Sequence, residues 1–115
     1  MLRAHLADGR VGLLQKGCEV LMIMTRDDAN KAKCGAAGGV EVLVEILRRY
    51  QVGGPALLLQ QACGALWAST NGNTANKAKC RAAGGVEVVR QIQQRYANDD
   101  ARLAGLCAGL LGVLS

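Results

Sequence analysis

The segment from Asn30 to Val42, NKAKCGAAGGVEV, returns from Asn76 to Val88 as NKAKCRAAGGVEV, an offset of 46 in a chain of 115 residues. A period of this length marks a fold made by stacking copies of one supersecondary unit, none of which buries its apolar face alone. The hydrophobic half of the composition includes no Phe, one Trp and two Tyr, alongside 15 Gly, so the interior is built from Leu, Val, Ala, Ile and Met. Side chains of that size suit helices that approach closely. Only Pro55 interrupts the chain, and no stretch keeps a two-residue alternation, so the fold is expected to be all-helical.

Read in order, a helix is expected from Val11 to Thr25, with Leu14, Cys18, Leu21 and Thr25 one turn apart on a single face. Asp27 and Asp28 can cap the next, short helix, Ala29 to Ala37, which the glycine pair Gly38-Gly39 ends. Val40, Leu43, Val44 and Leu47 then give a helical stripe, with Glu41, Glu45, Arg48 and Arg49 turned to water. Pro55 opens a third helix whose inner face is Leu58, Leu59, Ala62, Ala65, Leu66 and Ser69, and Asn71-Gly72 stops it. The order repeats: Thr74 to Ala83, Gly84-Gly85, Val86 to Tyr96, a turn at Asn98-Asp99-Asp100, and Ala101 towards Ser115. Aligning Met1-Leu2-Arg3-Ala4-His5 with Ile46-Leu47-Arg48-Arg49-Tyr50 predicts that the repeat is entered midway. That is expected of a segment of a longer array, or of a chain completed by a partner.

The last helix, carrying Leu103, Leu106, Leu110, Leu111, Val113 and Leu114, has almost no polar face, which points to a missing downstream repeat or to self-association. The net charge of +5 comes without stacking aromatics or clustered arginines, so a nucleic-acid partner is disfavoured. No leader-like start and no membrane-length apolar run is present, so the expected location is cytoplasmic or nuclear, with no membrane partner. The five cysteines, Cys18, Cys34, Cys63, Cys80 and Cys107, recur at offsets of 46, 45 and 44 and include no CxxC pair; they read as small buried side chains, with no metal site. A lone His5 permits no nucleophilic triad, and the glycine-rich pieces lack the Lys-Ser/Thr ending of a phosphate loop. Neither an enzyme nor a cofactor is expected.

A short helix, Gly-Gly, an amphipathic helix, a turn and a long helix ending in Ala65-Leu66-Trp67 and Asn71 resemble the armadillo repeat, together with Ala37-Gly38-Gly39-Val40 and Ala83-Gly84-Gly85-Val86 at the bends. The likeness covers essentially the whole chain. It implies a right-handed superhelix of three-helix repeats, with residues 1–28 the end of one repeat (the close of its second helix and its third helix), 29–72 a second and 73–115 a third. It further implies that third helices line a concave groove for an extended peptide or partner protein. There Trp67 and Asn71 match the family's ligand-gripping pair, and Gln60 and Gly64 share their face. Met22 and Arg26 in the earlier helix, and Leu111 and Ser115 in the last, take the corresponding places.

Two readings of Trp67 and Asn71 remain level at this point, ligand contact or plain packing with a helix stop. Lys31, Lys33, Lys77 and Lys79 would form a basic ridge, more simply a solvated edge than a docking site for an acidic partner. Against the peptide-groove reading is a structural one, a scaffold segment that forms homo-oligomers or domain-swapped assemblies through its repeat ends.

Overall fold

The structure, a computed structural model, describes residues 11–52 and 55–114. The expectations for Met1–Gly9, including the midway entry and His5, and those for Gly53, Gly54 and Ser115 lie outside the described residues. Within them the chain is all-helical: α1 Val11–Met24, α2 Asp28–Ala36, α3 Gly39–Tyr50, α4 Ala56–Thr70, α5 Thr74–Ala82, α6 Gly85–Tyr96 and α7 Ala101–Leu114.

Local chemistry sets these boundaries. The Asp27 side chain accepts the Asn30 N–H at 2.8 Å and caps α2, and Asn73 does the same for Asn76 at 2.9 Å in α5. Asp100 Oδ1 accepts the Leu103 N–H at 3.0 Å ahead of α7. Pro55 is extended at φ −64° and ψ 134° and occupies the cap before α4, one place earlier than expected. The glycine pairs divide their work. Gly38 (φ 79°) and Gly84 (φ 83°) make the left-handed bend, whereas Gly39 and Gly85 already belong to the following helices. A Cβ on Gly39 would overlap the Cys34 sulfur, and one on Gly85 the Cys80 sulfur. The second glycine of each pair is therefore required for close packing.

Three long helices dominate the core: α4 packs between α1 and α7, with α3 behind it. Two lines of residues on α4 are buried. Leu58, Ala62, Ala65 and Ser69 are buried, and so are Leu59, Cys63, Leu66 and Thr70. In α1 the buried line is Leu14, Cys18 and Thr25, while Val20 and Met24 are 46% and 50% exposed. In α7 it is the opposite line that is buried: Leu103, Cys107, Leu110 and Leu114. Thus α1 uses one face, α7 the other, and α4 both.

That pattern corrects one alignment. The helix starts at Ala56 and Ala101 are 45 apart, so Cys107 corresponds to Ala62 and Leu111 to Leu66. Cys63 and Cys107 are facing partners across the seam, not equivalent positions, which is why their offset of 44 broke the pattern. The residue of α7 in the place of Trp67 is Gly112.

Side chains reach across to the carboxyl ends of neighbouring helices, within a unit and between units. Lys31 Nζ donates to the Asn71 carbonyl at 2.6 Å, Lys79 Nζ to that of Gly35 at 2.9 Å, and Arg48 Nη2 to that of Ala83 at 2.6 Å. Tyr96 Oη donates to the Gln51 carbonyl at 3.0 Å. These carbonyls lie at helix C-termini, where the intrahelical ladder runs out, so a donor from a neighbouring helix supplements it. Asn76, 2% exposed, donates through Nδ2 to the carbonyls of Lys31 and Ser69, both at 2.9 Å, and lies directly on Gly35. Gly35 and Arg81 are the sole difference between the copied segments Asn30–Val42 and Asn76–Val88. Gly35 lies beneath Asn76, whereas Arg81 is exposed and donates to the Leu114 carbonyl at 2.7 Å.

Candidate protein-binding face

One side of the α1, α4 and α7 row collects most of the residues expected to bind a partner. Met22 on α1 is half-buried and lies over Gly64 of α4, where a Cβ would meet its sulfur at 2.7 Å. Trp67 on α4 is also half-buried and its six-membered ring lies over Gly109 of α7. The same arrangement is thus made twice, a long side chain of one helix resting on a glycine of the next. Gly64 and Gly109 are 45 apart, as are Met22 and Trp67. A side chain at Gly109 would strike the rigid Trp67 ring, whereas one at Gly64 would push aside the flexible Met22 side chain.

Trp67 therefore packs on Gly109 and is only partly exposed. Asn71 follows α4 as its C-cap, with φ −64° and ψ 119°, and is exposed. Its N–H bonds the Trp67 carbonyl at 2.9 Å and its own carbonyl accepts Lys31, but its side-chain amide makes no hydrogen bond with another described residue. An amide of that kind can give and take one bond each with a peptide backbone. Arg26, exposed after α1, is the counterpart of Asn71.

Gln60 is half-buried and donates to Asp100 Oδ2 at 3.1 Å, so it fastens the cap of α7 as well as facing the row. Gln61 Oε1 is buried without a hydrogen-bond partner among the described residues. Leu111, half-buried, takes the place of Leu66 in α7 and packs against the core. The α7 part of the face is glycine: Gly105, Gly109 and Gly112. Asp100 and Gly109 were not anticipated as site residues; the offset of 45 between the glycines was the available signal for the second.

The basic ridge is divided. Lys31 is spent on a carbonyl within its own unit and Lys79 on one of the preceding unit, and Lys31 also approaches Asp28 Oδ1 at 3.8 Å. Lys33 is exposed and Lys77 half-buried, neither hydrogen-bonded to a described residue. No continuous row of four free ammonium groups results. The five thiols are buried and unpaired by disulfides. Burial pushes Cys18 up to about 12 and Cys80 up to about 11, so both are held as neutral apolar groups. Among the described residues no cluster of His, Cys, Asp or Glu could hold a metal, and no helix is long and apolar enough to cross a membrane. Comparison with known proteins finds no matching family model, no matching curated protein and no matching solved structure.

Proposed function

We propose that the chain is a protein-interaction module of armadillo type, in which α1, α4 and α7 are the third helices of successive repeats and their common side holds an extended segment of another protein. The observation that carries this reading is the duplicated contact, Met22 over Gly64 and Trp67 over Gly109, beside an Asn71 amide that the fold leaves unused. Peptide backbone would bond Asn71, and an apolar or cationic side chain would lie against the open side of Trp67. The α7 glycines leave room for the bound chain to approach closely. The face carries Glu19 and Arg26, of opposite sign, so shape and backbone bonding outweigh charge in selecting the ligand.

A peptide array probed with wild type and with Asn71→Ala tests this. Removing the amide leaves the packing of Trp67 intact, and the loss of one or two backbone bonds should weaken binding about tenfold. Equal binding by both proteins removes the face from the account.

A second reading, a scaffold segment that self-associates, is favoured by the exposure of Val20 (46%), Ile23 (53%) and Met24 (50%) on one side of α1. That apolar side would be covered by the outer side of α7 from another copy, repeating the contact that α1 and α4 make within the chain. Light scattering over a range of concentrations separates the two readings: constant monomer mass supports the module alone, and mass rising with concentration supports assembly.

A further inference from the structure

We infer that Cys63 and Cys107 form an oxidisable dithiol whose disulfide fastens α4 to α7. The two sulfur atoms are 4.0 Å apart and belong to helices that face each other across one seam. A disulfide needs about 2 Å between sulfurs, a closure that rotation about the two Cα–Cβ bonds and a small approach of α7 can supply. None of the other buried cysteines is in hydrogen-bonding reach of a second thiol. Cys34 and Cys80 each lie beneath their own glycine bend, within their own units.

The pair is asymmetric. The two thiols share one S–H···S contact in which either sulfur can donate; with Cys63 as the donor, that contact lowers the Cys107 thiol from its ordinary value and, with burial, pushes that of Cys63 well above it. Cys107 is therefore the attacking sulfur and Cys63 the resolving one. Both side chains are fully buried, so an oxidant reaches them only when α7 moves away from α4, and it must be small. A small hydroperoxide is the class of oxidant that such a site admits. The Cys107 thiolate attacks one peroxide oxygen, the O–O bond breaks, and the departing oxygen leaves as water or alcohol after taking a proton. The Cys63 sulfur then displaces hydroxide from the Cys107 sulfenic acid, giving the S–S bond, and its proton completes a molecule of water. Two thiols are oxidised by two electrons and one peroxide is reduced.

The bond would span the seam on which Trp67 meets Gly109, since Cys63 is one turn from Trp67 and Cys107 two residues from Gly109. Oxidation thus fixes the spacing between α4 and α7 without using any residue of the proposed ligand face.

The five cysteines fall in separate peptides on cleavage after Lys and Arg, so the pairing can be read directly. Folded, reduced protein is treated with dilute hydrogen peroxide, unfolded in iodoacetamide and mapped without reductant. The expected result is three alkylated cysteines and one crosslinked pair containing Cys63 and Cys107, within the monomer. Five alkylated cysteines, or a bond involving any other pair, overturns the inference. Cys63→Ala and Cys107→Ala, checked for helix content by circular dichroism, should each abolish the crosslink. The oxidised wild type should unfold at a temperature higher by about 5 °C or more, and an unchanged midpoint overturns the fastening role.

Discussion

Gly35 and Gly105 are both glycines inside helices, and the structure assigns them opposite costs. A methyl group on Gly35 would strike the buried Asn76 side chain, whereas nothing lies within 4 Å of a methyl on Gly105. Gly35→Ala should lower stability by about 2 kcal/mol through overpacking, while Gly105→Ala should leave it unchanged or raise it by up to about 1 kcal/mol through helix propensity. Urea unfolding measures both, and similar effects at the two sites would contradict the assigned contact. The buried thiols make a second prediction at this scale. Cys18 and Cys80, pushed up to about 12 and about 11 by burial, keep their protons when the unfolded chain, near 9.0, has lost them. Stability is therefore whole below about pH 9 and falls as pH climbs towards about 11 to 12. The double variant Cys18→Ala/Cys80→Ala should show a shallower fall in urea unfolding across that range, and an identical slope would contradict the burial of these groups.

Between elements, the carbonyl-directed donors account for how one unit recognises the next, and Asn76 is the most buried of them. Asn30 has the same place in the preceding copy, but there its amide reaches only Asp27 Oδ2, at 3.2 Å and in the open. Asn76→Ala should cost about 2 to 3 kcal/mol and Asn30→Ala less than about 1 kcal/mol, a contrast that cancels helix propensity because the two helices match residue for residue at that point. Equal losses would show that Asn76 does not join the units. The helices themselves were legible in the sequence to within a residue or so, since Asp27, Gly38, Gly84 and Asn71 act through local geometry that each residue type favours. The seam was not. Nothing in the local pattern of Lys31, Arg48 or Lys79 says that they bond carbonyls 35 to 44 residues away, so a charge ridge was the natural reading of the lysines.

For the molecule as a whole, the repeat carried the all-helical architecture, while the choice of face depended on a register that composition obscures. Cys63 and Cys107 look like equivalent positions in the chain, yet they face each other, because one residue of slip on a helix turns a side chain by about 100°. Trp67 shows the same limit: the sequence left packing and ligand contact level, and the structure sets its ring on Gly109 and leaves it partly exposed. The proposed face exists only if the row of α1, α4 and α7 presents Met22, Trp67 and Asn71 on one side. The chain's single tryptophan makes this directly observable by nuclear magnetic resonance. The indole protons of Trp67 should show cross-relaxation to the α protons of Gly109, with those α protons shifted upfield by the ring, and the Met22 methyl should contact the α protons of Gly64. Ordinary Gly109 shifts and a Trp67 indole that contacts only its own helix would contradict the row, and the proposed binding face with it.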